Sequence, residues 1–403
     1  MTTPAERISR WSRRFAAASA LFLVVWRVGV IVGLSREGEV VLAIFGFIFH
    51  MIFAKGYSLI PTYFDRDLRP SVLPMVQFPL TTIGTICLAF GTTDFAEWEG
   101  LVGTAGTILW SVGVVVFVGG LYWSIRDNVT GHETATGEHN KDRRRVDRTA
   151  NLFVPVALGY LLFGSYELLA SATMLPTVFD GYRPRGIHLL VAGAATLMVF
   201  SIGFRLLPRF FRARPPHRLV VLVLPLGAVA PLGLAWSLPI GRLFPVFATM
   251  EAIAMVGYAL VIATLFRRST NLRTGLYAVL LGAISGVVGV GIGLWLSFVG
   301  LESTLVAAHL ETNLLGFLGL TIIGLAFQFY PPRASEYPGS DDRTAIAAIG
   351  AIALGIILAN AAVLLETGST TGTVELVETA GPYATLIGAI LYAYLLVGVF
   401  ASR

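Results

Sequence analysis

The sequence predicts an all-α, polytopic membrane protein with twelve transmembrane helices in three four-helix pseudo-repeats, and with the N and C termini in the cytoplasm. Three observations predict this fold class: an apolar composition, the placement of the positive charges, and a sequence frame that occurs three times. Of the 403 residues, 55% are hydrophobic and 13% are charged, and the mean hydropathy is +0.75. Such a chain cannot form a water-soluble exterior, so we expect residues 1–403 to form a single membrane domain.

Twelve apolar stretches are long enough to cross about 30 Å of hydrocarbon, which takes roughly 20 residues each. The Arg-rich start runs into the first stretch without a small-residue cleavage site, so we expect no cleaved signal peptide. The predicted spans 1 to 12 are 15–34, 40–61, 71–92, 101–124, 150–173, 186–207, 219–239, 243–266, 274–299, 304–330, 344–365 and 383–401.

The positive charges predict the orientation of these spans. Of 29 Lys and Arg residues, 22 lie in segments that would be cytoplasmic if the chain starts inside, 4 lie outside and 3 lie within spans. This asymmetry is typical of the positive-inside rule and predicts a multi-pass protein of the cell membrane. The net charge of +5 is thereby explained by the Lys and Arg residues on the cytoplasmic side of the lipid bilayer. We therefore expect no nucleic-acid partner.

A sixteen-residue frame recurs without gaps in spans 2, 6 and 10. Each copy begins with Gly and ends with Pro, with an aromatic residue four positions before the Pro and a polar residue directly after that aromatic. The copies are GFIFHMIFAKGYSLIP at 46–61, GAATLMVFSIGFRLLP at 193–208 and GFLGLTIIGLAFQFYP at 316–331. Because the frame lies on every fourth span, we predict parallel pseudo-repeats at 15–125, 150–266 and 274–401, arranged as a pseudo-threefold ring.

The segment 126–149 is the long hydrophilic insertion of the chain and is predicted to be a flexible, solvated cytoplasmic loop. Cys87 is the only cysteine, which excludes an intrachain disulfide and a thiolate cluster. A metal site would therefore use His, carboxylate or Met side chains. The glycines of span 9 predict close helix packing, or alternatively a ligand passage beside that helix.

Ionisable residues at membrane depth are the best candidates for function, because each costs several kcal/mol unless it is paired or hydrated. Arg205 lies close enough to the inner surface to extend its charge into water. The full set is Arg27, His50, Lys55, Glu167, His188, Arg205, Glu251, His309 and Glu311.

The frame also serves as a measure of depth. Counted back from the Pro, His188 and Glu311 both lie at position −20, His309 lies at −22 and His50 lies at −11. At 1.5 Å per residue, His50 is about 16 Å deeper than His309. Two nitrogens that bind one metal are about 4 Å apart, so we do not expect His50 and His309 to share a haem. Glu311 points about 200° away from His309 around the helix.

Twelve spans in three groups, His on spans 2, 6 and 10, and the segment 309–317 (HLETNLLGF) resemble subunit I of the haem-copper oxidases and the related NnrS-type membrane proteins. The resemblance covers nearly the whole chain. It implies that His309 matches the ligand of the active-site haem and that His188 matches a copper ligand. Glu311 stands where that family has the second haem ligand.

The chain departs from the oxidase pattern at the metals. Span 7 lacks the two copper-binding histidines, and Ala192 replaces the Tyr that oxidases carry four residues after the histidine of span 6. Oxygen reduction and copper binding are therefore not expected, and the chain is not expected to be a functional terminal oxidase.

Two function classes remain open. In the first, His188, His309 and Glu311, joined by Glu167 and Glu251, line one outer-leaflet site that holds haem b or a metal ion, for a redox, nitric-oxide-related or sensing role. Its alternative is that each is a hydrogen-bonded residue that fixes helix packing.

In the second class, the chain is a secondary transporter or channel, and Arg27, His50, Lys55, Glu167 and Glu251 form a polar or proton pathway. Lys55 is expected to transfer protons or gate the pathway, or to pair with a carboxylate or carbonyl near the repeat axis. The sequence leaves open whether a second copy or an additional membrane subunit completes the site.

Overall fold

The computed structural model describes residues 3–93, 98–334, 336–365 and 371–402. Within these ranges every regular element is helical, and twelve helices are long and apolar enough to cross a membrane. The predicted all-α fold with twelve spans is therefore confirmed for the described residues. Residues 94–97 of the first predicted group, and 335 and 366–370 of the third, lie outside them. Labelled α1 to α12 in chain order, the helices are Pro4–Ile31, Arg36–Tyr63, Leu73–Phe90, Glu99–Ile125, Glu138–Ala172, Arg183–Phe210, His217–Ser237, Phe244–Arg268, Thr274–Val299, Ser303–Ala334, Asp342–Val363 and Thr379–Ala401.

Three helices form the interior. In the most apolar windows of α2, α6 and α10, 89%, 67% and 78% of the residues are buried, compared with 33–50% in the other nine helices. The other nine surround them as a ring, each packed against the next, and α12 closes the ring against α1. The three copies of the sequence frame thus lie on the three inner helices. We call the face at which the even-numbered helices begin the upper face, and the opposite one the lower face.

Each inner helix contains a segment of π-helix, in which the backbone bonds from i to i+5. The first residue of each segment lies nineteen positions before the Pro that ends the frame. The wider turn leaves carbonyl oxygens for side chains, and Phe47 O accepts a hydrogen bond of 2.7 Å from Ser19 Oγ of α1. The segments are Leu42–Ile48, Leu189–Thr196 and Thr312–Gly319.

The Gly that begins each frame allows a neighbouring helix to approach closely. A β-carbon on Gly46 would lie 2.7 Å from the ring of Phe22 in α1, and one on Gly193 would lie 2.6 Å from the ring of Tyr160 in α5. The third, on Gly316, would lie 2.8 Å from Cβ of Ser285 in α9. In all three cases the neighbour is the helix directly before the inner helix, which is the first helix of its predicted group.

The segment 126–149 is folded onto the lower face, which differs from the predicted flexible loop. Arg66 pairs with Asp127 at 3.0 Å and with Glu133 at 2.8 Å, and the hydrogen bond from Arg66 lowers the pKa of the Asp127 carboxyl. Asn128 Nδ2 donates to the carbonyl oxygen of Phe64 at 2.9 Å. These contacts join the segment to the end of α2, which its composition did not reveal.

Arg205 was predicted to extend its charge into water, but it is buried, with 1% of its surface exposed. Its Nη1 donates to Tyr63 O and to Asn151 Oδ1, both at 2.6 Å. Asp147 lies 3.6 Å from Arg205 and 2.7 Å from Arg209. The charge is satisfied inside the protein because α5 brings a carboxylate and an amide to the lower end of α6.

Candidate metal site

The first cavity lies in the upper half of the molecule, between α6, α7, α8, α9 and α10, and has a volume of about 200 Å³. Three ionisable side chains line it, among mainly apolar walls: His188 of α6, Glu251 of α8 and His309 of α10. They lie five to seven residues after the starts of three parallel helices, which places them about 8 to 11 Å below the upper face. The structure therefore brings together three of the residues singled out in the sequence.

His188 and His309 form a nearly parallel pair. Their ring centroids are 6.4 Å apart and the ring planes make an angle of 18°. His188 Nδ1 lies 2.7 Å from the carbonyl oxygen of Pro184, and His309 Nδ1 lies 2.8 Å from that of Gly289. A carbonyl oxygen only accepts, so each Nδ1 carries the proton and each Nε2 has a free lone pair. Metal-binding histidines are commonly held in this way through their second nitrogen.

The glycines of α9 make room for the side chains of α10. A β-carbon on Gly293 would lie 2.7 Å from Cε1 of His309, and one on Gly289 would lie 2.5 Å from Nδ2 of Asn313. Asn313 in turn donates to the carbonyl oxygen of His309 at 2.8 Å. These contacts favour the packing interpretation of the span 9 glycines, and they fix the position of the His309 ring.

Glu251 adds a carboxylate to the same cavity. It is 7% exposed, and its Oε2 has no hydrogen-bond partner among the described residues. A buried acceptor without a donor costs about 1–3 kcal/mol. The cavity is the place from which a bound molecule, a proton or a cation can satisfy this oxygen.

Glu311 lies apart from this cavity, so the single polar site proposed from the sequence is divided in two. Its carboxylate accepts hydrogen bonds from Nη1 of Arg27, with distances of 3.0 and 3.1 Å to the two oxygens. Nε of Arg27 donates to Thr385 Oγ1 at 2.9 Å. The reason is angular: Glu311 is two residues after His309 and faces α1 and α12 instead of α6.

The Arg27–Glu311 pair borders a second cavity of about 260 Å³ between α1, α2, α10, α11 and α12. Arg36 and Glu39, in the first turn of α2, also line it. The sequence reasoning missed Glu39, because it was taken to precede span 2. The available signal was its frame position, since Glu39 lies at −22 before Pro61, as His309 does before Pro331.

Glu167 holds the connection between α5 and α6. Its two carboxylate oxygens accept hydrogen bonds from the backbone N–H groups of Val178 and Phe179, at 2.8 and 3.3 Å. Glu167 does not line either of the two cavities described above. Its carboxylate therefore anchors a loop at the upper face.

His50 and Lys55 lie deeper, and neither lines the first or the second cavity. His50 is fully buried beside the rings of Phe15 and Phe22, with Nδ1 2.7 Å from Phe45 O and Nε2 3.1 Å from Thr82 Oγ1. Both of its nitrogens are thus engaged within the protein.

Lys55 Nζ donates to the Tyr330 hydroxyl at 2.9 Å and lies 3.9 Å from the ring centroid of Phe329. It borders a small cavity of about 80 Å³ that is lined only by α2, α6 and α10. This is the predicted repeat axis, and the partners of Lys55 there are aromatic side chains of α10.

The described residues contain no group of three or more His, Cys, Asp or Glu side chains arranged to hold a metal ion. The first cavity is thus a site lined by two imidazoles and one carboxylate. A scan against models of protein families finds no match for the chain, and no curated protein matches it significantly.

Proposed function

We propose that the protein is a multi-pass protein of the cell membrane that binds one transition metal ion between His188 and His309, for a redox or gas-sensing role. The observation that carries this proposal is the imidazole pair on the first cavity. Both Nδ1 atoms are held by backbone carbonyls, which leaves both Nε2 atoms for a shared ligand. Imidazole is a preferred ligand of zinc, copper, iron and nickel ions.

The ring separation supports one ion and not two. A metal–nitrogen bond is about 2 Å long, so two imidazoles on opposite sides of one ion have centroids about 6 to 6.5 Å apart. The observed separation of 6.4 Å matches this arrangement. Two metals about 4 Å apart between the rings would need a correspondingly larger separation. A haem-copper pair therefore does not fit between these histidines.

Haem b was the cofactor expected from the resemblance, and the cavity volume argues against it. A cavity of about 150 Å³ holds one benzene molecule. The first cavity, at about 200 Å³, holds a ligand only slightly larger, whereas a porphyrin is several times the size of benzene. An ion with one small molecule beside it fits this space.

For the scaffold, we propose three parallel four-helix groups as in subunit I of the haem-copper oxidases and the NnrS-type proteins, with the lower face in the cytoplasm. The π-helix segments support this proposal, because they start at the same frame position in α2, α6 and α10. The frame glycines support it as well, because each accommodates a side chain from the first helix of its own group.

Oxygen reduction is not part of the proposal. The histidine of α7, His217, is its first residue and lies at the lower face, about 25 Å along the helix from Leu234, which lines the first cavity. A bound ion would supply redox or Lewis-acid chemistry. His188 and His309 would hold it, and the apolar walls would exclude water and admit a small uncharged molecule.

Metal content after purification in detergent tests the proposal. We expect wild-type protein, incubated with zinc, copper, nickel or iron salts and desalted, to retain one ion per chain of at least one of these metals. Because each histidine supplies one of two protein ligands, His188→Ala and His309→Ala are each expected to lower the affinity at least tenfold. Elemental analysis and the visible spectrum give the readout.

The control is His139→Ala, an exposed histidine of the segment 126–149, which should retain wild-type metal content. Equal metal content in wild type, His188→Ala and His309→Ala would overturn the proposed site. A Soret band in the wild type that disappears in His309→Ala would instead establish haem as the ligand.

Transport is the second candidate, and one observation favours it. Arg27, Glu39 and Glu311 border a cavity of about 260 Å³ at membrane depth, which is a common feature of ion and substrate pathways. The other residues proposed for a pathway are engaged elsewhere: Glu167 anchors a loop and His50 is enclosed by aromatic rings. The candidate therefore depends on the second cavity.

A further inference from the structure

The small cavity that Lys55 borders, which we call the axial cavity, is built in layers by the three inner helices. Frame positions −9, −6, −5 and −2, counted back from the Pro, each contribute one lining residue from α2, α6 and α10. The layers at −9 and −2 are apolar and lie on either side of the layer at −6. The layer at −6 consists of Lys55, Ile202 and Leu325, and the layer at −2 consists of Leu59, Leu206 and Phe329.

Lys55 is the one polar side chain in the lining of the axial cavity. Its equivalents in the other two copies of the frame are Ile202 and Leu325, and the remaining lining residues are Gly, Ala, Val, Ile, Leu, Met and Phe. Lys55 lies eight residues before Tyr63, where α2 ends, so its Cα is about 12 Å from the lower end of that helix. The repeat therefore places a single cationic group at membrane depth, among aliphatic equivalents.

The charge of Lys55 has no counter-charge among the described residues. Its ammonium has three hydrogens to donate, and it forms one hydrogen bond, to the Tyr330 hydroxyl at 2.9 Å. Nζ also lies 3.9 and 4.0 Å from the ring centroids of Phe329 and Tyr330, contacts that attract the charged form.

No carboxylate of the described residues lies within 4.0 Å of the Lys55 ammonium. An unpaired charge at membrane depth is costly. Because every other residue of the lining is uncharged, the axial cavity carries the positive charge of Lys55 without compensation.

We infer that the axial cavity binds one small, weakly hydrated monovalent anion, such as bromide or nitrate, beside the ammonium of Lys55. The uncompensated positive charge selects an anion. The apolar walls select weak hydration, because they offer no hydrogen-bond donors in place of the lost water. A divalent anion such as sulfate would leave an excess negative charge in the same apolar surroundings.

The size of the axial cavity agrees with such an ion. Its volume of about 80 Å³ is several times the roughly 10–15 Å³ that one water molecule needs, and about half of the roughly 150 Å³ that holds benzene. A halide or nitrate ion fits this space, whereas a larger anion such as gluconate does not. This inference goes beyond the proposed metal site and does not depend on it.

Equilibrium dialysis of the purified protein against sodium bromide tests the inference directly. We expect the wild type to bind one bromide ion per chain, and nitrate but not sulfate to displace it at equal ionic strength. Lys55→Met should bind none, because it removes the charge and makes the position apolar, as it is at Ile202 and Leu325.

Thermal unfolding gives a second readout, since a ligand that binds only the folded state raises Tm. On exchange of sodium gluconate for sodium bromide, we expect the Tm of the wild type to rise by about 2 °C or more relative to that of Lys55→Met. Comparing the two proteins removes the general effect of the salt on stability.

The matched control is Lys141→Met, which makes the same change at the other lysine of the chain. Lys141 is exposed in the segment 126–149, so this variant should keep the wild-type bromide binding and the wild-type Tm response.

A wild-type protein that binds no bromide would overturn the inference, and this arm stands even if Lys55→Met fails to fold. Bromide binding that survives in Lys55→Met, or that is lost in Lys141→Met, would overturn it as well. Metal content of Lys55→Met should match that of the wild type, so the two sites can fail independently.

Discussion

At the residue scale, the position of His309 is set by the neighbouring helix. Gly289 accepts its Nδ1 hydrogen through the backbone carbonyl, and Gly293 leaves the space that its ring occupies. Asn313, one turn later, bonds back to the carbonyl of His309. The imidazole is thus aligned by contacts that do not touch a ligand, as expected of the supporting groups around a metal site.

Adding one methyl group at Gly293, which packs against His309, is expected to impair metal binding without changing a metal ligand. In Gly293→Ala the new β-carbon would lie 2.7 Å from Cε1 of His309, so the ring must shift. We expect metal affinity to fall by about 10- to 100-fold, as for loss of supporting contacts at other metal sites. Metal titration of the purified variant measures this change.

Gly291→Ala is the control for that variant, because it lies on the same helix and a β-carbon there meets no atom within 4 Å. It should bind metal as the wild type does. Equal affinities for Gly293→Ala and Gly291→Ala would contradict the assigned role of Gly293.

At the element scale, buried ionic contacts attach the segment 126–149 and α5 to the lower end of α6. Asp147 is 1% exposed and pairs with Arg205 and Arg209, and it accepts a hydrogen bond of 2.5 Å from Thr136 of that segment. Asn151, one turn after Asp147, bonds to both Tyr63 O and Gly131 O. The first two predicted groups are therefore joined at this face by a polar network.

Removing the charge of Asp147 is expected to destabilise the protein strongly. Asp147→Asn leaves Arg205, which is nearly inaccessible to solvent, without its carboxylate. Breaking a buried ion pair from one side typically costs about 3–5 kcal/mol. Unfolding by denaturant in detergent measures the loss.

Asp127→Asn provides the comparison, because this carboxylate also pairs with an Arg but its side chain is 65% exposed. An exposed pair is screened by water and contributes little to stability, so this variant should unfold nearly as the wild type does. Similar losses of unfolding free energy for both variants would show that the network around Asp147 does not hold the segment 126–149 and α5 to α6.

At the scale of the whole molecule, nine outer helices surround the three inner helices α2, α6 and α10. Large apolar side chains exposed on the helices occur on each of the nine outer helices, and none of them lies on the described residues of α2, α6 or α10. An apolar exterior suits lipid as the surrounding solvent.

The orientation in the membrane is testable through a single cysteine. Cys87 is the only one in the chain, so Cys87→Ala gives a background for labelling. With the lower face in the cytoplasm, a membrane-impermeant maleimide applied to intact cells should label Thr177→Cys, at the upper face. His139→Cys, in the segment 126–149, should be labelled only after the cells are permeabilised. The reverse pattern would overturn the orientation predicted from the Arg and Lys residues.

Much of the architecture follows from the sequence alone. Hydropathy and span length were sufficient for twelve helices, because a membrane permits few alternatives to a helix for an apolar stretch of this length. The three helices that carry the frame are the ones that the structure places in the interior. Its positions −20 and −22 contain the ionisable pairs of both cavities.

The partners of these residues were decided only by tertiary structure. His309 and Glu311 are two residues apart and yet serve different cavities, since a helix turns successive side chains toward different neighbours. Glu39 was missed, Arg205 proved to be buried and the segment 126–149 proved to be folded, because each depends on contacts with residues distant in the chain. The sequence by itself determined the helices and the order of the polar groups along them; packing determined which polar groups meet.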